Sequence, residues 1–82
     1  MSIVLTLYSR AGCHLCAEMA LQLKSLNQTI NFDLEIIDID TDPDLEARYG
    51  SRIPVLVADG KIISQYQLDD DAVINFLTKT TD

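Results

Sequence analysis

The chain holds two cysteines, and they stand three apart in Cys13-His14-Leu15-Cys16. On one turn of helix such a pair lies about 5 Å apart at Cα, within the range a disulfide tolerates. The pair follows Gly12, where an apolar run gives way to helical spacing. At a helix start the backbone N–H groups are unpaired, and the positive end of the macrodipole favours an anion. Thiolate, not thiol, is the attacking species, so Cys13 is the nucleophile this arrangement implies. Cys16, one turn further and on the apolar stripe, suits the resolving role: attack on the mixed disulfide that Cys13 forms. A bridge across so short a loop is a poor scaffold, because it closes too little chain to hold a fold together.

Other chemistries compete for the same sulfurs. Zinc takes four ligands, commonly two Cys pairs or Cys₂His₂. The chain offers two cysteines and one histidine, His14, fixed between them. A tetrahedral site would need carboxylates or a second subunit, and no metal is expected. The alternative to catalysis is a binding module, an adaptor or a metal or iron–sulfur carrier with the cysteines as ligands. Reduction of a small oxyanion is a third reading, opposed by the lack of a basic cluster near Cys13 beyond Arg10. A protonated His14 would favour the thiolate, but the helix N-terminus disfavours imidazolium. The two effects oppose each other, and His14 is given no acid–base role.

Composition bounds the rest. Eighty-two residues, 48% of them hydrophobic and 23% charged, make a single domain spanning 1–82. The formal charge is −7. Six scattered basic residues among thirteen acidic ones form no stripe for a phosphate backbone, which argues against nucleic acid. No apolar run approaches the roughly 20 residues of a membrane span. No basic segment precedes a long apolar stretch at the start, so a signal peptide is not expected. A cytoplasmic protein follows as the default, and in that reducing compartment a CxxC pair is more often catalytic or metal-binding than structural.

The elements that must position the pair are legible as short segments. Ile3 to Tyr8 is a β-forming apolar run of the kind covered on both faces. From about Cys13 to Asn27 the spacing is helical: Leu26, Met19, Leu23 and Cys16 fall within about 100° of Leu15. Leu21 lies off that stripe, which suggests burial over a wider arc. Phe32 to Ile39 begins by alternating and reads as a second strand. Asp40-Thr41-Asp42-Pro43 caps and opens a short helix that Gly50 ends. Asp59-Gly60 between Val55–Ala58 and Lys61–Ile63 is a strong hairpin signal. Asp69 or Asp70 caps a last helix carrying Val73, Ile74 and Leu77. The order is β-α-β-α-β-β-α. A right-handed first crossover makes strands one and two parallel, and the hairpin adds two antiparallel strands. This is an α/β architecture with a four-stranded mixed sheet and three helices.

A CxxC after strand one, Ile53-Pro54 at the start of strand three, then a hairpin and a final helix resemble the thioredoxin superfamily over essentially the whole chain. In size the chain resembles the minimal, glutaredoxin-type member. The segment Tyr8-Ser9-Arg10-Ala11-Gly12-Cys13-His14-Leu15-Cys16 is similar to a subfamily of short bacterial glutaredoxin-like proteins with a Cys-His-Leu-Cys centre. The resemblance implies a thiol–disulfide oxidoreductase with Cys13 and Cys16 catalytic. It also implies that Pro54 is cis against the redox pair, and that the Ile53 backbone docks the substrate chain. Cis X–Pro accounts for only about 5–6% of such bonds, so only the resemblance supports this expectation. Two neighbours complete the candidate substrate-binding set. Arg10 either pairs with a substrate carboxylate or is solvated, and Tyr8 either lines the site or packs. The implied partners are a disulfide substrate and an external thiol reductant, and a monomer is expected. Typical glutaredoxins carry Cys-Pro-Tyr-Cys, and a Gly-Gly pair followed by Asp that holds glutathione. Here the matching stretch is Ile63-Ser64-Gln65-Tyr66-Gln67-Leu68-Asp69, whose side chains obstruct close backbone approach. No bound cofactor is expected, and glutathione as co-substrate stands in doubt.

Overall fold

In the computed structural model, residues 3–80 are described. Val4–Ser9 forms β1, and the helix His14–Asn27 (α1) carries the chain over to β2 (Asp33–Asp38), which pairs parallel to β1 from Val4↔Asp33 to Ser9↔Asp38. A single 3₁₀ turn, Ile39–Thr41, leads into α2 (Pro43–Tyr49). Then come β3 (Val55–Ala58), β4 (Lys61–Gln65) and α3 (Asp70–Thr80). The sheet order is β2-β1-β3-β4, with β3 antiparallel to both of its neighbours. Element order and sheet are those expected from the sequence.

The local signals act as their chemistry dictates. Asp42 caps α2 by accepting the Asp44 N–H at 2.9 Å, and Pro43 takes the first helical position, where a missing N–H costs nothing. Asp69 caps α3 by accepting the Ala72 N–H at 3.1 Å. The Asp59-Gly60 turn has positive φ at both residues, 54° and 75°, the geometry that matches the twist of a tight hairpin.

The sheet packs differently on its two faces. Leu5, Leu7, Leu56 and Ala58 face one way and pack with Met19 and Leu23 of α1, Val73 and Leu77 of α3, and Phe32. Burial of each large aliphatic side chain contributes about 1.5–3 kcal/mol. On the other face Tyr8, Val55 and Val57 meet Ile39, Leu45 and Tyr49 of the 3₁₀ turn and α2.

Three residues depart from the expected pattern. Leu21 is 67% exposed, so the arc of α1 is not widened to include it. Cys16, Met19 and Leu23, the buried residues of α1, centre about 70° round the helix from Leu15, which leaves Leu15 on the rim and Leu21 on the far side. Leu15 is accordingly 42% exposed. Ile36 pairs with Leu7 on the α1/α3 face but is 46% exposed, because β2 is the edge strand and the helices do not reach over it.

Candidate active site

The loop from β1 to α1 sets the geometry of the sulfurs. Gly12 has φ +79°, a value glycine adopts without steric cost, and the Cys13 N–H closes the turn on the Arg10 carbonyl at 3.2 Å. Cys13 then takes an extended conformation, φ −85° and ψ 108°, as the N-cap of α1. Its Sγ accepts the Cys16 N–H at 3.2 Å, the position an Asp or Ser oxygen ordinarily fills. The first-turn N–H that would stabilise a thiolate is therefore aimed at the Cys13 sulfur. Cys13 and Cys16 are joined as a disulfide with Cα atoms 5.2 Å apart. Cys13 is half-buried while Cys16 is 3% exposed, so a substrate reaches the first sulfur before the second.

Ile53-Pro54 is a cis peptide, as the resemblance implies. Pro54 is buried and immediately precedes Val55, which pairs with Tyr8 at the end of β1 that leads to the cysteines. The Ile53 N–H donates to the Tyr49 carbonyl at 3.1 Å. Of its two backbone groups only the carbonyl remains for an incoming strand, which narrows the docking expectation.

The two neighbours singled out in the sequence have internal partners. Arg10 Nε donates to Asp40 Oδ1 at 2.9 Å, and its Nη2 lies 3.6 Å from Glu46 Oε1. Those carboxylates, 30 and 36 residues along the chain, hold the guanidinium against the start of α2. Tyr8 stacks on Tyr49 with ring centroids 4.5 Å apart, and Arg48 stands 6.0 Å from the Tyr49 centroid. Burial, with a further contribution from Tyr49, raises the Tyr8 pKa above the ordinary phenol value.

Two residues that the sequence reading passed over border the redox motif. Glu18 pairs with His14 across one helical turn at 3.0 Å. Tyr66 has φ +67°, donates its N–H to the Pro54 carbonyl at 2.9 Å, and points its hydroxyl at the Ser51 carbonyl, 3.3 Å away. Together Glu18 and Tyr66 help to line a cleft of about 290 Å³ that runs from Leu15 of the motif across to residues 66–68. The i,i+4 spacing of His14 and Glu18 was readable in the sequence. The position of Tyr66 depends on β4 pairing and had no local signal. Among the described residues no group of three or more His, Cys, Asp or Glu side chains converges to hold a metal, and no helix is long and apolar enough to cross a membrane.

A central β1 flanked by parallel and antiparallel partners, a CxxC capping the first helix and a cis-proline just before β3 define a thioredoxin-fold protein with a redox-capable cysteine pair. Within that class the chain belongs to the glutaredoxin-like domain family (DUF836), whose model matches residues 4–78. It is 34% identical to an uncharacterized protein of Mycobacterium tuberculosis over 80 residues, covering 92% of this chain and 82% of that one. The solution structure of a protein from Nitrosomonas europaea is similar with TM-score 0.86 and 39% identity, over 94% of this chain and 93% of its own. A mutant thioredoxin from Halobacterium salinarum is similar with TM-score 0.66 and 26% identity, over 99% of this chain and 76% of the thioredoxin.

Proposed function

We propose that the protein is a dithiol oxidoreductase that reduces or exchanges disulfides in a reducing compartment. The observation that carries this reading is the Cys13 sulfur at the N-cap of α1, receiving the Cys16 N–H, with its partner cysteine buried one turn behind. The reduced pair attacks a substrate disulfide through the Cys13 thiolate. A bond forms between Sγ of Cys13 and one substrate sulfur, and the other substrate sulfur leaves as a thiolate. Cys16, deprotonated, then attacks Sγ of Cys13. The substrate's second sulfur departs, and the protein is left with the Cys13–Cys16 disulfide while the substrate has gained two electrons. A dithiol, or two monothiols, restores the pair by the reverse exchange. The helix N-terminus contributes by lowering the energy of the attacking anion, and the Ile53 carbonyl offers one backbone acceptor to an extended substrate.

Glutathione is not the favoured partner of this site. In the stretch that resembles the glutathione-holding segment of glutaredoxins the glycine pair is missing, and the bulkier Ser64 and Gln65 would obstruct close approach of that tripeptide to the backbone.

The test is turnover of a protein disulfide such as insulin by the reduced, metal-free protein, together with the pH dependence of alkylation at Cys13. Turnover that depends on both cysteines, with Cys13 alkylated faster than free cysteine at neutral pH, supports the reading. A Cys13 no more reactive than free cysteine counts against it.

A further inference from the structure

We propose that the cleft between α1 and residues 66–68 selects substrate disulfides that carry a positive charge beside the reacting sulfur. This deepens the oxidoreductase reading and rests on it. The cleft begins at the cysteine motif, although neither cysteine lines it. One wall is Leu15, Glu18, Met19 and Gln22 of α1, starting inside the cysteine motif; the other is Tyr66 with the two residues that follow it. Tyr66 is tied to the cis-proline segment by its N–H on the Pro54 carbonyl and its hydroxyl on the Ser51 carbonyl.

Tyr66 points to a ligand. An L-residue in the left-handed region costs about 1–2 kcal/mol relative to glycine, and burial does not offset that cost, because the residue is 51% exposed. The residue is held at the rim of the cleft by its backbone and hydroxyl contacts, with half of its surface left free. Strain of this kind, found beside a reactive centre, marks a group kept in place for what it meets.

The chemistry of the lining defines that ligand. Glu18 is the one charged residue in it, and its carboxylate has acceptor positions beyond the single contact with His14. An ammonium or guanidinium entering beside Leu15 meets a carboxylate on one wall and the aromatic residue on the other, and its methylene stem covers Leu15 and Leu68. The open trough that continues along residues 62–71 adds three aspartates and no cation. Those aspartates belong to the cap and first turn of α3 and are accounted for by it, but they leave an anion nothing to pair with. Arg52, next to the docking segment, lines neither space.

The experiment compares reduction of three small disulfides by the reduced protein, each rate normalised to its rate with dithiothreitol: cystamine, a dication; hydroxyethyl disulfide, neutral; and glutathione disulfide, an anion. We expect cystamine to react about tenfold faster than glutathione disulfide at low ionic strength, with the gap closing as salt rises. Glu18→Gln and Tyr66→Ala should each cut that preference at least about threefold. Asp59→Asn, which removes the same charge at the hairpin on the opposite end of the sheet, should leave it nearly unchanged. Disulfide peptides with Lys or Glu beside the cysteine then separate a basic polypeptide from a small amine as the source of the cation. A wild-type preference that is missing, or one lowered as much by Asp59→Asn as by Glu18→Gln, overturns the cleft's role while the oxidoreductase reading stands. Failure to reduce even the neutral disulfide overturns the oxidoreductase reading itself, and the inference with it.

Discussion

The two flanks of the redox pair are finished in different ways. On the flank toward α2 the candidate side chains have partners within the fold, Arg10 with Asp40 and Glu46 and Tyr8 with Tyr49, and the Ile53 N–H is taken by the Tyr49 carbonyl, which leaves the Ile53 carbonyl. On the flank toward α3, Leu15 and Tyr66 stand open on either side of a cleft and Glu18 is held by one exposed histidine. Proximity to a reactive sulfur therefore does not make a residue a substrate contact.

The largest expected effect is at the sulfurs, which both flanks serve. Cys13→Ser should abolish exchange, by about a thousandfold or more, since a hydroxyl is a far weaker nucleophile than a thiolate at neutral pH. Cys16→Ser should instead accumulate the mixed disulfide, seen as a mass increase that dithiothreitol removes. Accumulation by the Cys13 variant instead would reverse the two roles.

Next comes a contrast in stability. Tyr49→Ala empties the closed flank and should cost about 3–5 kcal/mol in denaturant unfolding. Leu15→Ala on the open flank should cost less than about 1 kcal/mol, because its surface is half exposed already. Equal losses would erase the distinction between the flanks.

Arg10→Gln sharpens it further. Stability should fall by no more than about 1 kcal/mol, since the ion pairs are largely exposed. Reduction of a neutral disulfide should change less than about twofold. A tenfold loss confined to substrates bearing a carboxylate would move Arg10 from the closed flank to the binding surface.

The smallest effect is in alkali. The Tyr8 pKa is raised in the folded state, so the stability tied to its neutral form is present below the ordinary phenol value, about 10, and is lost as the pH rises through the raised value. Tyr8→Phe should flatten that part of the profile relative to wild type, measured as the difference in unfolding midpoint between pH 9 and 11.

The sequence carried the frame well because its strongest signals are local. Asp42-Pro43, Asp59-Gly60 and the cysteine pair each work through backbone groups within four residues, so type and spacing suffice. The resemblance supplied what spacing could not, the cis form of Pro54. What escaped depends on tertiary assembly. Arg10 finds its carboxylates 30 and 36 positions away, Tyr8 meets Tyr49 of α2 where that helix packs on the sheet, and Tyr66 reaches the cis-proline segment only once β4 has paired with β3. Leu15 illustrates the limit of periodicity. The helical wheel counted it as a member of the apolar stripe, at its edge, but the buried side of α1 is set by where the sheet lies, and Leu15 is left 42% exposed.

The cysteine proposed as nucleophile is also a piece of this protein's scaffolding. Because the Cys13 sulfur holds the first turn of α1, an inactive form made with serine keeps an oxygen suited to the same backbone N–H, while alanine discards the anchor along with the chemistry, at about 1 kcal/mol. Any covalent adduct at that sulfur weakens it as an acceptor at the same time. Protection of the Cys16 amide from hydrogen exchange should therefore report, residue by residue and without a substrate, on how far the reactive atom has been modified.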